Sequence, residues 1–284
     1  MIISAEELVS DNLQLISLPE IVTRINDMVD DPNCTAVEIG ELISTDAALS
    51  ARLLKIVNSS FYNFPSNVDT ISMAITIIGT RQLRDLALAT SVTQKFRKLP
   101  DNLISIDIFW HHSLACATAA RVIADKCATG NSERYFITGL LHDIGKMVMY
   151  LTQPDLAREV LTLSRESKNN LDQLEQTAFG FTHAELGKIL LQKWQLPESL
   201  YIPVGYHDHP QEAPTFQFET CAIHLANGIA NTVETILSED DDLPVDPSIW
   251  GVLGLSPNDL DELILKTQQQ LGAVLQIIYY DEAA

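Results

Sequence analysis

His142 and Asp143 stand side by side in the segment Gly139-Leu-Leu-His-Asp-Ile-Gly-Lys146, an imidazole next to a carboxylate inside an apolar pattern of helical period. Neighbouring helical residues point about 100° apart, yet both side chains can reach one cation in a bundle interior, where other helices supply further ligands. Lys146 follows one turn after His142 on the same face, within reach of an anion held by such a cation; a snorkelling helix lysine is an equally good account of it. The pair also has a bland reading, as two buried groups hydrogen-bonded to each other. The other histidines shift the balance. His112, His183, His207 and His209 fall at or near helical positions that can face a common interior. Mixed imidazole and carboxylate ligation suits zinc, iron, manganese or nickel rather than calcium or a thiolate-loving metal. No two of these histidines form a tight i, i+4 pair, so only the fold can bring them together. His112 can equally pack beside Trp110 and Leu114, and His207 and His209 flank a helix end, where an imidazole often bonds the last carbonyls. His224 reads as part of the packing of its helix.

The elements that must position these groups read as helices almost throughout. Asp46 offers N-cap chemistry ahead of the stripe Leu49, Leu53, Ile56 and Val57, which Asn58 breaks. Thr70 caps a short helix carrying Ile71, Ala74 and Ile78, which Gly79 stops, and a third helix runs from roughly residue 81 to 96. Leu99-Pro100-Asp101-Asn102 reads as a linker. A long alanine-rich helix then starts near Asp107 and carries His112; Gly130-Asn131 ends it. The His142 helix follows, then one from about 154 to 168, a short one ending at Gly180, and one holding His183, Leu186, Leu190 and Trp194. Pro197 suits a first helical turn, and that helix ends at Tyr206. A helix near 218–237 contains His224 and Asn227, and an amphipathic helix after Ser256-Pro257 closes the chain. No strand-length alternation survives between turn signals.

The chain has 284 residues, enough for one large or two modest domains. Its net charge of -20 opposes attraction to phosphate backbones and anionic membranes, so neither nucleic acid nor a membrane is expected as partner. No apolar run approaches a bilayer span and no leader pattern opens the sequence, which points to a cytoplasmic protein. Cys34, Cys116, Cys127 and Cys221 lack metal-finger spacing and read as reduced thiols.

His112, His142-Asp143, His183 and His207-Asp208-His209, in that order, resemble the ligand run of the HD superfamily of metal-dependent phosphohydrolases, especially its HD-GYP branch. More specifically, the chain resembles the HDOD domain, the HD-related output domain of bacterial signalling proteins. Leu18-Pro-Glu-Ile-Val22, Ile43-Ser-Thr-Asp-Ala-Ala-Leu49, Val57-Asn-Ser-Ser-Phe-Tyr62 and Ala74-Ile-Thr-Ile-Ile-Gly79 are similar to its amino-terminal half. Phe179-Gly-Phe-Thr-His183, Trp194-Gln-Leu-Pro197 and His224-Leu-Ala-Asn227 are similar to its later half. The resemblance implies an all-α, HD-domain-like helical bundle with an additional amino-terminal helical lobe. It divides as a lobe over 1–103, a core over 104–238, and an acidic loop with a closing helix over 239–284. It implies metal ligands at His112, His142, Asp143, His183, His207 and His209, with Lys146 and Asn227 facing a ligand, and one or two divalent ions of iron, manganese, zinc or nickel.

The departures from the family pattern carry the functional expectation. Where the HD enzymes resemble one another in a final aspartate, this chain has Asn227, a neutral and weaker ligand; an alternative alignment lets Asp208 or another acid compensate. The Gly-Tyr-Pro turn of the HD-GYP branch is missing after His207. The expectation is therefore a non-catalytic HD-type regulatory module, with no catalytic residue assigned, that acts on regulatory or signalling proteins and has room for a small phosphorylated ligand. The alternative is a metal-dependent phosphohydrolase of nucleotides or cyclic dinucleotides.

Overall fold

The computed structural model describes residues 3–59, 62, 64, 67–97, 106–167, 171–234 and 245–276, and among them there is no β-strand. The helices in chain order are α1 (Ala5–Asp11), α2 (Leu13–Ile16), α3 (Glu20–Asp30), α4 (Ala36–Ser44), α5 (Ala47–Val57), α6 (Ile71–Ile78) and α7 (Thr80–Arg97). They continue as α8 (Ile106–Lys126), α9 (Ser132–Leu141), α10 (Ile144–Thr152), α11 (Pro154–Ser167), α12 (Leu171–Phe179), α13 (His183–Lys193) and α14 (Glu198–Tyr206). The last three are α15 (Gln217–Glu234), α16 (Ile249–Leu253) and α17 (Leu260–Val274). The expected linker at 99–102 and the acidic run 239–242 lie outside the described residues.

Contacts divide the chain into two units, Met1–Ser17 with Pro100–Ile264, and Leu18–Leu99 with Leu265–Ala284. These edges differ from the expected ones at both ends of the chain. The first seventeen residues belong with the later segment because α1 packs on α13, Leu8, Val9 and Ile16 are buried, and the Trp194 indole donates to the Ile16 carbonyl at 3.0 Å. The later boundary falls within α17 rather than at residue 238.

In the Leu18–Leu99 unit the caps form where the sequence places them. Asp46 accepts from the Leu49 amide at 2.9 Å, Thr70 accepts from that of Met73 at 3.1 Å, and Gly79 ends α6 with φ at 91°, a left-handed value that glycine adopts without a Cβ clash. Apolar stripes on α3 to α7 close on one another through Ile25, Ile43, Leu53, Ala74 and Leu86. Asn58 does more than end α5: its amide bonds both the N–H and the carbonyl of Val68, at 2.7 and 2.8 Å, and closes the intervening loop.

The other unit is built around α8, which packs on α9 and α15, while α14 joins α9, α13 and α15. Its alanines and two glycines let the backbones approach. A Cβ on Gly139 would lie 2.8 Å from the Ala117 Cα, and one on Gly145 would run into the His183 carbonyl. Those two glycines flank His142 and Asp143. Here the structure departs from the sequence pattern: the expected His142 helix is two helices, α9 and α10, with the dyad forming the turn between them.

Alanine normally gains up to about 1 kcal/mol over glycine inside a helix. Gly145→Ala should nevertheless destabilise the protein, because backbone rather than a movable side chain fills the space, whereas Gly272→Ala in α17, with nothing within 4 Å, should be neutral or stabilising. Parallel denaturant melts decide it; equal effects of the two variants would contradict the close α10–α13 approach.

Candidate metal centre

Two His-Asp dipeptides terminate two helices and meet. His142 follows the last residue of α9 and His207 follows that of α14, both with helical backbone angles. At such an end the last carbonyls lack intrahelical donors, and each ring supplies one: His142 Nδ1 donates to the Gly139 carbonyl at 2.7 Å, and His207 Nδ1 to that of Val204 at 2.8 Å. A carbonyl can only accept, so each Nδ1 carries a proton, and in the neutral ring that leaves the lone pair on Nε2. Both lone pairs face the interior, and both helices point their partially negative ends towards it.

The two oxygens of Asp143 face different neighbours. Oδ1 lies 3.3 Å from His183 Nε2 and 3.7 Å from His207 Nε2. Oδ2 accepts from the Lys146 ammonium at 2.7 Å and lies 3.5 Å from His142 Nε2 and 3.8 Å from His112 Nε2. Asp208 Oδ2 approaches His183 Nε2 at 3.2 Å and His207 Nε2 at 3.4 Å. His183 is anchored from behind by Glu175, whose Oε2 accepts from both its backbone N–H and its Nδ1, at 2.8 and 2.7 Å. His224 is spent on structure: its Nδ1 donates to the His207 carbonyl and its Nε2 accepts from the Asp246 amide.

Burial sets the charge states. It holds His142 down at about 3, with the nearby His207, His112 and Lys146 acting the same way against the pull of Asp143, so the ring is neutral. Burial would raise the Asp143 carboxyl, but His142, Lys146 and His183 hold it well below the usual range. Lys146 stays protonated because Asp143 outweighs its desolvation. His183 is displaced upward despite burial, chiefly by Glu175. Burial also lifts Tyr150, to about 12, so it remains a phenol.

His142 Nε2, Asp143 Oδ1, His183 Nε2, His207 Nε2 and Asp208 Oδ2 are all buried without a hydrogen-bond partner. Leaving a buried polar atom unsatisfied costs on the order of 1–3 kcal/mol, and five converging on one spot fit a cation. Three sets of ligand-capable atoms lie close enough to share an ion: His112, His142 and Asp143; Asp143, His183 and His207; Asp172, His183 and Asp208. The structure thus brings together five of the six expected ligands. His209 is the exception: just past the α14 terminus the chain turns away, its ring is 48% exposed, and its Nε2 sits on Asp172 at 3.1 Å. Asn227 meets His112 Nε2 with its amide oxygen at 3.1 Å. Lys146 donates to Asp143 Oδ2 at 2.7 Å. Asp172 and Glu175 escaped the sequence reading, since nothing in the spacing between α12 and His183 marks them.

The chain belongs to the HDOD domain family, whose model matches residues 15–210. It is 27% identical over 200 residues to an uncharacterized protein of Treponema pallidum (strain Nichols); the match takes in 69% of this chain and 38% of that longer protein. An HDOD domain protein of Geobacter sulfurreducens superposes with a TM-score of 0.74 at 24% identity over 97% of this chain and 98% of its own. A candidate phosphohydrolase of Shewanella amazonensis SB2B does so with 0.74 at 24% identity, over 95% and 96%. These similarities establish the fold as the all-α HD-like one.

Residues that orient a ligating histidine typically contribute 10–100-fold to metal affinity. Glu175→Ala should weaken zinc binding by about that factor, and Glu175→Gln, which keeps an accepting oxygen, by less. Competition with a chromophoric chelator measures both; unchanged affinity in Glu175→Ala would remove Glu175 from the site.

Proposed function

We propose that this chain is a regulatory HD-type module that works through contacts with signalling proteins and keeps a cation pocket without turning over a phosphoester. The observation that carries this reading is the Asn227 amide closing on His112 Nε2 where an acid would otherwise stand. A hydrolytic centre gathers negative charge to hold a cation and to stabilise a bound hydroxide; an amide at this position removes one full charge. Lys146 works in the same direction, since its ammonium already neutralises Asp143 Oδ2. Access is narrow as well. The His112, Lys146 and Asp208 side chains at the rim are 15, 19 and 26% exposed, and those of His142 and His207 are fully buried. That leaves little room for a cyclic dinucleotide to place a phosphate against the cluster.

Within the pocket, Asp143, His183 and His207, with His142 and Asp208 beside them, are the groups that would hold a divalent ion of the zinc, iron, manganese or nickel type. Such an ion supplies Lewis acidity when bound. The residues themselves fix one geometry: backbone carbonyls lock two imidazoles, Glu175 locks a third, and Lys146 pins the carboxylate they share. The charge of -20 favours basic surfaces on partners over nucleic acid or membrane. No helix among the described residues is long and apolar enough to cross a membrane, and we take the cytoplasm as its compartment.

The test is a panel of phosphomonoesters, cyclic nucleotides and cyclic dinucleotides incubated with full-length protein loaded separately with manganese, iron and zinc. No turnover above the Asp143→Ala variant is expected. Hydrolysis that Asp143→Ala abolishes would replace this reading with the phosphohydrolase one.

A further inference from the structure

Away from the metal centre, a cavity of about 330 Å³ opens between α1, the end of α10, the start of α11 and the end of α12, all in one of the two units. That volume falls at the lower end of the range of sites for small organic molecules, which starts near 300 Å³. Its apolar lining comes from Leu8, Leu156 and Phe179, of which Leu8 and Phe179 are buried.

The polar lining is Asp11, Asn12, Thr152 and Gln153, and the first three offer a ligand acceptors only. Asp11 is a carboxylate and has no donor. The Asn12 amide donates from Nδ2 to the Leu8 carbonyl at 2.9 Å, which leaves Oδ1 to accept. The Thr152 hydroxyl donates to the Val148 carbonyl at 2.8 Å, which leaves its lone pairs. Among the described residues no Lys, Arg or His lines the cavity.

The backbone adds to the same sign. α10 ends at Thr152 and α12 at Phe179, neither with a basic residue in its last turn, so two partially negative helix ends border the space. Asp11 is itself the last residue of α1, again with no base in the last turn, a place where an acid is disfavoured unless a cation comes to it. An anionic ligand would meet negative potential and acceptors. A bare divalent ion would find one carboxylate where it needs several oxygens. A donor-rich positive head on a hydrocarbon body satisfies both linings at once.

We propose that this cavity is a binding site for a small organic ammonium ion, its apolar body against Leu8, Leu156 and Phe179 and its N–H groups on Asp11, Asn12 and Thr152. Two of the bordering helices also serve the metal centre: α10 starts immediately after Asp143, and α12 carries Glu175. The proposal does not depend on whether that centre holds an ion.

The test is calorimetric titration of the full-length protein with phenethylammonium in about 0.15 M salt, where attraction to distant charges is largely screened. Saturable binding at one site is expected, with phenylacetate, a similar body of opposite charge, weaker by about tenfold or more. Asp11→Asn should weaken phenethylammonium binding by about fivefold, the upper end for an exposed charge pair. Glu41→Gln, which removes an exposed acid from α4 in the other unit, should leave the affinity unchanged. Ala178→Trp, which fills the cavity from its wall, should abolish binding; if that variant does not fold, the Asp11 and Glu41 pair decides, since both side chains are exposed. Absence of saturable binding, equal affinity for phenylacetate, the same loss in Glu41→Gln as in Asp11→Asn, or undiminished binding by folded Ala178→Trp would each overturn the proposal.

Discussion

The buried carboxylate of Asp143 is the constraint on which the rest of this molecule turns. A group 3% exposed, and ionised, must be matched from every direction, and helices α8, α10, α13 and α14 converge to do so. Lys146 matches one oxygen with a full charge. The other oxygen faces the Nε2 atoms of His183 and His207 at 3.3 and 3.7 Å, the latter ring having its Nδ1 donor committed to the Val204 carbonyl. That side is therefore electrostatically unfinished, and the close backbone approaches at Gly139 and Gly145 keep it from relaxing.

The same local device appears twice, which explains the orientation of the ligands without any special side-chain packing. A histidine placed one residue beyond a helix end satisfies a terminal carbonyl with Nδ1, and the geometry of the ring then throws Nε2 away from the helix and into the interior. Each is followed by an aspartate, so each helix end delivers one imidazole and one carboxylate to the centre. Two helix C-termini and two acids make the spot attractive to a cation before any ion arrives, and Glu175 supplies for His183 what backbone carbonyls supply for the other two.

Much of this was written in the sequence in a form that could be read. Caps at Asp46 and Thr70 and the stop at Gly79 are local chemistry, and their helices start and end there. His112 and His183 reach the centre from within α8 and α13, and His142, Asp143 and His207 from the residues just past the ends of α9 and α14. The break at His142-Asp143 was not legible, since both residues tolerate helical angles and only the glycine-mediated approach of α9 to α8 and of α10 to α13 makes the turn necessary. His209 was expected as a ligand from the resemblance to the HD ligand run, but three residues past the end of α14 the direction of a side chain depends on the next turn, and Asp208 has the inward position instead. The partnership of His112 with Asn227 joins residues 115 apart, beyond the reach of any periodicity.

The energetic balance of the cluster argues about its purpose. A core that served only stability would do better with apolar side chains of similar volume, because an ion pair or polar cluster in the interior rarely recovers its desolvation. Gathering two carboxylates and three imidazoles in the interior is costly against a typical net stability of about 5–15 kcal/mol. The cluster is held by groups around it: the Gly139 and Val204 carbonyls, Glu175 and Lys146 each bond one of its members. An ion bound at such a centre would add stability in proportion to the logarithm of its concentration over its dissociation constant.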